Sequence, residues 1–285
     1  MRLLAPAKIN LGLRIVGRRP DGYHELDSLF LPIDLADVVT LHSGAAPTCQ
    51  VVLHVDGDAP EDESNLAARA AHAYCEASGL RLRVEIELTK HTPMAAGLGG
   101  GSSDAAALLR GLDAQHPGAL AGAELERVAL ALGADVPFFL HPRPCRVRGI
   151  GERLEPVAGL PSLALVLANP GEGVSTAEVY RAYDALAPGP SSALPPLPPL
   201  VPLRAELLGG LLHNDLEAPA TRLCPAIARL RTALHEAGAL AVGLSGSGAT
   251  LYGVCRDPEA ARGVADRLQI PNPGWCRVAH TAESR

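Results

Sequence analysis

Residues 93–109 read PMAAGLGGGSSDAAALL. Gly97, Gly99, Gly100 and Gly101 fall within five positions, and Ser102 and Ser103 lead into a run of helix formers. Glycine carries no Cβ, so a ligand can come close to the backbone N–H groups of this loop. Ser102 or Ser103 is expected to cap a helix that begins at Asp104. A glycine loop feeding a helix N-terminus suits an anion, because unpaired N–H groups and the helix dipole both favour negative charge. The width of the loop suits a nucleotide polyphosphate. No Lys-Ser/Thr pair follows the glycines, and Ser102 stands where a dinucleotide fingerprint needs its third glycine, so two familiar phosphate motifs are excluded. The same residues also fit a flexible loop before an ordinary capped helix.

Other residues could carry chemistry. Of 25 basic residues only Lys8 and Lys90 are lysines. Lysine is a compact point charge whose pKa can shift, a property arginine lacks. Lys8 lies in AKINLGLRIV, residues 7–16, which alternate like a strand. Lys8 and Asn10 then share one face, either wet or turned into a site. Pro20-Asp21-Gly22 is a turn signal, and Tyr23 and His24 follow it. A ring beside an imidazole suits a heterocyclic base, one stacking and the other hydrogen-bonding, although the pair could equally decorate a loop. Asp135 precedes Val136-Pro137, where a helix N-cap is expected. Phe138 and Phe139 make that segment apolar, and a carboxylate beside it would be dry and pre-positioned.

These residues must be held by regular elements. Strands are expected at 38–42 and 50–55, then a helix over 66–77 ending at Gly79. A strand over 81–88 delivers the chain past Lys90 to the glycine loop, giving the order strand, loop, helix. Further on come a helix over 123–132, two short strands within 146–154, a strand at 163–167 and a helix from about Ser175. Residues 188–203 are proline-rich and expected as a surface loop. Helical pattern resumes at Leu207 and again over 225–237. Two strands then flank small residues within 241–254, and a helix over 258–268 and a strand at 276–279 close the chain. The later part fits an α+β layer with helices on one face of a mainly antiparallel sheet.

The chain's 285 residues allow one large domain or two ordinary ones. At 47% hydrophobic and 20% charged residues it reads as globular and not disordered. No apolar run is long enough for a bilayer, and the N-terminus lacks a signal-peptide core, so a cytoplasmic protein is expected. Six cysteines without a CxxC pair argue for reduced thiols and against zinc. A net charge of −6 without a basic run argues against a nucleic-acid surface.

Three segments stand in fixed order: PAKINLGL, then PMAAGLGGGSSDAA, then GLSGSGATLYG. In form and order they resemble the three signature motifs of the GHMP small-molecule kinase family, and the likeness runs over essentially the whole chain. DGYHEL at 21–26 and GADVPFF at 133–139 resemble the branch whose acceptor carries a cytidine diphosphate, in non-mevalonate isoprenoid precursor synthesis. The resemblance implies an α+β, two-domain architecture. Residues 1–155 would form an N-terminal ATP-binding domain like domain 2 of ribosomal protein S5. Residues 156–285 would form a ferredoxin-like α/β sandwich carrying the proline-rich loop. It implies ATP with Mg²⁺ as cofactors, a small-molecule acceptor as the other partner, and a monomer or homodimer without nucleic acid or membrane.

Residue by residue, the resemblance implies that Pro93, Met94, Ala95, Ala96, Gly97, Leu98, Gly99, Gly100, Gly101, Ser102 and Ser103 wrap the ATP phosphates. Asp135 would take the proton from the acceptor hydroxyl, with Lys8 beside it. Asn10, Tyr23 and His24 would line the acceptor pocket, Tyr23 stacking on cytosine and His24 bonding it. Tyr180 would close the other side of the base. Asn65 and Lys90 would lie on the adenine side, and Thr176, Ser247 and Gly248 near the acceptor. Ser103 is the candidate metal ligand. Rival readings are a homoserine or mevalonate kinase of the same family, a non-catalytic ATP-binding protein, and an RNA-binding protein sharing the N-terminal fold. DGYH argues against the first, intact Lys8 and Asp135 against the second, and the acidic balance against the third.

Overall fold

The structure is a computed structural model that describes residues 1–187, 189–197, 208, 210–271 and 274–282. The chain divides into two compact units. Unit 1 holds Met1–Ala7, Leu35–Met94 and Gly99–Pro142; unit 2 holds Lys8–Asp34, Ala95–Leu98 and Arg143–Arg285. Two long strands, β1 (Arg2–Arg18) and β2 (His24–Ala45), contribute residues to both units.

In unit 1 the second half of β2 pairs antiparallel with β4 (Leu82–Thr89), from Val38 opposite Thr89 to Ala45 opposite Leu82. β3 (Gln50–Asp56) lies parallel on the other side of β4. β4 obeys the period of two: Leu82, Val84, Ile86 and Leu88 are buried, and Arg83, Glu85 and Glu87 are exposed. α1 (Leu66–Ser78) starts at Asn65, whose side chain accepts from the Ala67 N–H, and stops at Gly79 in the left-handed conformation. α2 (Gly100–Gln115) buries Ala105 to Leu109, Gly111 and Leu112. Any Cβ at Gly111 would run into Leu3 and Leu41, so glycine is what lets this helix lie so close to the strands. α3 (Gly122–Leu132) leads to α4 (Val136–Leu140), whose Phe138 and Phe139 are buried edge to face.

In unit 2 the first half of β2 pairs antiparallel with β5 (Cys145–Gly149), which pairs in turn with β6 (Arg153–Pro156). The second sheet runs β10 (Trp275–His280), β7 (Ala164–Asn169), β9 (Leu251–Cys255), β8 (Ala241–Leu244), and every ladder in it is antiparallel. α5 (Thr176–Ala185), α6 (Glu217–Leu223), α7 (Ala226–Glu236) and α8 (Pro258–Arg267) supply Val179, Ala220, Ile227, Leu234 and Val264 to one core with Val166, Ala168 and Leu251. The expected layer of helices on an antiparallel sheet is therefore present.

Two expectations change. Residues 26–37 were assigned to no element from sequence, yet β2 runs unbroken from His24 to Ala45. A strand buried along most of residues 27–33 shows no clean alternation, which hides it from a period-two search. The proline-rich stretch is not simply a surface loop. Leu194 is buried, its N–H donates to Asp27 Oδ2 at 3.1 Å, and Arg146 donates to its carbonyl at 2.6 Å. Arg146 also grips Asp27 through two bonds, so one buried carboxylate fixes this segment to β2. Residues 188 and 198–203 of the stretch, and most of the helical start expected at Leu207, lie outside the described residues.

Tyr252 on β9 is fully buried, and its hydroxyl donates to the carbonyls of Asn10 at 2.9 Å and Leu11 at 3.0 Å. A Cβ at Gly243 on β8 would collide with that hydroxyl. Tyr252→Phe should lower stability by about 1–3 kcal/mol, the usual effect of stranding buried acceptors. Gly243→Ala should lower it by displacing the same ring. Thermal unfolding checks both, and an unchanged Tm in Tyr252→Phe would show that the two carbonyls do not depend on this donor.

Candidate active site

The three sequence motifs meet within unit 2. Lys8 is 4% exposed and Asn10 1% exposed, so their strand has no wet face here. A buried ammonium needs acceptors around it. Lys8 Nζ donates to Asn10 Oδ1 at 2.6 Å and to the Gly97 carbonyl at 3.3 Å, and it sits 4.7 Å from the centre of the Phe30 ring. The Lys8 N–H donates to the Leu98 carbonyl. Ser245 in the third motif donates its hydroxyl to the same Gly97 carbonyl at 2.8 Å and accepts the Asn10 N–H. Asn10 Nδ2 donates to the Ser28 hydroxyl, which in turn donates to the Gly12 carbonyl. The middle of the glycine loop is thus fastened from two sides. Gly97 has φ +75°, and a Cβ on it would overlap the Ser245 carbonyl, so both backbone and space require glycine. Ala95 holds φ +50° without being glycine, and Ala96 is buried.

The turn of the third motif is held from below. Asn214 Nδ2 donates to the carbonyls of Leu244 and Gly246, and Asn214 Oδ1 accepts the Leu216 N–H. Thr176 and Ser247 hydroxyls lie 2.8 Å apart, and Gly248 takes φ +97° in the same turn. Asn214 was not singled out from sequence. It lies within His213-Asn214-Asp215, with no motif spacing to mark it.

The flanks of the glycine loop belong to unit 1. α2 begins at Gly100, with Gly99 at the N-cap in the left-handed conformation (φ 71°) and no side chain capping it. This corrects the expected cap at Ser102 or Ser103. Glycine turns the chain three or four residues sooner, so Ser102 and Ser103 are already helical. The Ser103 hydroxyl instead donates to the Pro6 carbonyl at 2.7 Å. Met94 is exposed. The first N–H groups of α2 have no acceptor within their own helix, as at any helix start.

Lys90 lies beneath these flanks. Its ammonium is 5% exposed and bonds Asp37 Oδ2 and, at 2.7 Å, Asp104 Oδ2. Asp37 Oδ1 accepts the N–H groups of His91 at 2.5 Å and Thr92 at 2.7 Å. Burial by itself would lower the Lys90 ammonium, but the Asp104 and Asp37 carboxylates outweigh it and raise Lys90 above its ordinary value. Burial pushes the Asp104 carboxyl up to about 7, with Lys90 pulling it down and Asp37 pushing it further up. Asn65 is committed to its own helix, accepting from Ala67 and donating to the Pro60 carbonyl at 2.7 Å.

Asp135 occupies the N-cap position of α4, but its side chain makes no capping bond. The simple structural role is therefore not filled. Arg110 of α2 holds the other end of this short helix. It donates to the Phe139 carbonyl and, at 2.9 Å, to the Leu4 carbonyl, and burial lowers its guanidinium from the ordinary value. A cation on the last carbonyls of a helix is favoured by the dipole. Arg110 was not recognised from sequence; its position on α2 gives no hint of a partner 29 residues away.

The residues expected to read a base fall together in unit 2, with one exception. His24 and Tyr180 stack with ring centres 5.0 Å apart and planes at 25°, and Tyr183 meets His24 edge-on. His24 Nε2 lies 2.8 Å from Asp184 Oδ1, while Arg18 stands 3.6 Å from the other oxygen. Tyr23 is 62% exposed and has no ring partner among the described residues. Thr176, Tyr180 and Asp184 are spaced by four on α5, so one helix face presents all three. That spacing from Tyr180 could have revealed Asp184. Among the described residues no group of three His, Cys, Asp or Glu could hold a metal ion. Ser103 is fully buried, and its hydroxyl donates a hydrogen bond to the Pro6 carbonyl.

Residues 65–143 match the model of the GHMP kinases N terminal domain, and residues 201–274 match GHMP kinases C terminal. A 4-diphosphocytidyl-2-C-methyl-D-erythritol kinase of Paracoccus denitrificans is 45% identical, with 96% of this chain and 94% of the relative covered. One from Thermus thermophilus is 43% identical over 96% and 95%. A crystal structure of 4-(cytidine 5'-diphospho)-2C-methyl-D-erythritol kinase superposes with TM-score 0.82 at 40% identity, covering 99% of this chain and 100% of that one. A Leishmania major mevalonate kinase, at 16% identity and TM-score 0.73, shares the fold. The motifs on β1, the glycine loop and the β8–β9 turn, with full-length likeness at this level, show that the chain belongs to the GHMP kinase family, in its 4-diphosphocytidyl-2-C-methyl-D-erythritol kinase branch.

Proposed function

We propose that the protein transfers the γ-phosphoryl group of ATP to the 2-hydroxyl of 4-diphosphocytidyl-2-C-methyl-D-erythritol, as a cytoplasmic enzyme of isoprenoid precursor synthesis. The observation that carries this reading is the likeness, over nearly the whole chain, to relatives of that name. Phosphoryl transfer asks a protein for positioning and charge stabilisation more than for covalent chemistry. In this reading residues 93–103 receive the ATP phosphates through glycine amides and the start of α2. Asn65 and Lys90 serve the nucleotide side. Mg²⁺ would accompany ATP and neutralise charge on its phosphates. Residues 1–155 and 156–285 correspond to the two family domains.

Asp135 acts as general base on the acceptor hydroxyl, and Lys8 stabilises the negative charge that develops on that oxygen. The acceptor's base is read by His24. Its Nε2 faces a carboxylate, so in the neutral ring Nε2 carries the proton and Nδ1 is left as acceptor. Cytosine presents an exocyclic amine, a donor, to such an acceptor. Tyr180 stacks on His24 and Asp184 bonds it, which orients the imidazole. Tyr23 supplies one stacking face for the base and Tyr180 closes its other side. Asn10, Thr176, Ser247 and Gly248 complete the acceptor side. Binding energy gained on the base, remote from the reacting oxygen, goes into orientation.

Asp135→Asn should lower kcat by about 10²–10⁴-fold, the usual worth of a general base, with ATP affinity kept. Turnover at the wild-type rate would remove Asp135 from this role. Asp184→Asn and Tyr23→Ala should each raise KM for the cytidine acceptor and leave KM for ATP unchanged; equal losses for both ligands would contradict the base-reading assignment. The reaction itself is tested by ADP release from ATP with this acceptor, homoserine, mevalonate or none. Turnover with homoserine or mevalonate in place of the cytidine compound would replace the proposed acceptor.

A further inference from the structure

The glycine loop has two flanks in unit 1: residues 90–92, which leave β4, and residues 100–104, which open α2. No ladder joins them, and yet they are tied together. Asp37, from the middle of β2, is fully buried. One of its oxygens accepts the N–H groups of His91 and Thr92, and the other accepts the Lys90 ammonium. The same ammonium crosses to Asp104 Oδ2 at 2.7 Å. The side chains of Asp37, Lys90 and Asp104 are all at most 5% exposed. Thr92 packs its methyl group where Gly100 leaves space; a Cβ there would crowd both Thr92 and Lys90.

We propose that Asp37, Lys90 and Asp104 form a latch that holds the two flanks of the phosphate loop at a fixed separation, with Asp104 and Lys90 acting as positioning residues for ATP.

The alternative for Lys90 is a direct contact with the nucleotide. Its ammonium already has two carboxylate partners and is almost wholly out of water, so its geometry serves the chain first. The alternative for Asp104 is a charge favouring the start of its helix. Its carboxylate instead turns to Lys90, and its other oxygen, like the Thr92 hydroxyl, is buried without a hydrogen bond. Stability alone does not account for so polar an arrangement, since a buried ion pair is often replaceable by apolar side chains without loss. Such a bridge does fix geometry, and a loop built from glycines has little stiffness of its own.

The inference rests on the ATP-binding reading of the loop, and its test separates the two. Asp104→Leu leaves the Lys90–Asp37 pair intact and cuts only the link to α2. Asp104→Asn keeps an oxygen that can accept from Lys90. Hydrogen exchange of residues 93–103 in the nucleotide-free protein reads the latch without any ligand. Asp104→Leu should speed that exchange and raise KM for ATP by about tenfold, with kcat little changed, because coupled contacts of this kind are worth about that much. Asp104→Asn should restore both. Lys90→Met added to Asp104→Leu should do no further harm beyond Lys90→Met alone, since both cut the same bridge. Wild-type exchange in Asp104→Leu would overturn the latch, and so would fully additive effects of the two substitutions, which would mean that Lys90 meets ATP on its own. Failure of the wild-type protein to bind ATP would overturn the nucleotide reading and leave exchange to judge the latch.

Discussion

The constraint on which the rest of unit 2 depends is the burial of the Lys8 charge. An ammonium taken out of water is unfavourable unless acceptors surround it. The chain supplies Asn10 from the same strand and the Gly97 carbonyl from the glycine loop, with the Phe30 face beneath. Each supplier is held in turn. Ser245 takes the second position on the Gly97 carbonyl, Ser28 orients Asn10, and Asn214 holds the turn that carries Ser245. Three segments distant in sequence are fixed by the needs of one charged group. Each of these bonds satisfies a buried polar group, which is why so many side chains here are polar and buried.

Much of this was legible in the sequence, for physical reasons that can be named. The glycine loop is legible because its conformations exclude other residues: Gly97 and Gly99 both sit at positive φ. β4 is legible because it alternates, and α1 because Asn65 and Gly79 mark its ends. The cap of α2 was misplaced because serine is a strong capping residue locally, whereas the loop's left-handed Gly99 had already turned the chain. The first half of β2 was missed because both its faces are buried and periodicity disappears. Leu194 reads as part of a proline-rich surface loop, and its anchor is a carboxylate 167 residues away in the sequence. Arg110, Asp37 and Asn214 share that difficulty. Their partners are backbone groups or side chains brought near by tertiary structure, which no local pattern records.

Base recognition shows the intermediate case. His24 and Tyr180 were readable as aromatic candidates, but their relation was not. They stack on each other, which fixes the imidazole plane, and Asp184 Oδ1 lies 2.8 Å from the His24 Nε2. A histidine so held can hydrogen-bond in one direction only. The residue types were readable locally, whereas the stack and the carboxylate contact are tertiary.

The two lysines close the argument about charge. With a net charge of −6, the chain cannot draw a polyphosphate by its overall field, so cations near the loop must act locally. Arginine serves elsewhere, where a planar fork can meet a carboxylate such as Asp27 or a carbonyl such as that of Phe139. Lys8 must fit between an amide oxygen and a loop carbonyl, over a ring. Lys90 must fit between two buried carboxylates beneath the first turn of α2. Both places are filled by one compact charge with three donors, which a lysine ammonium supplies. The two positions where the chain departs from arginine both bond the glycine loop or its flanks, Lys8 at the Gly97 carbonyl and Lys90 at Asp104 in the first turn of α2.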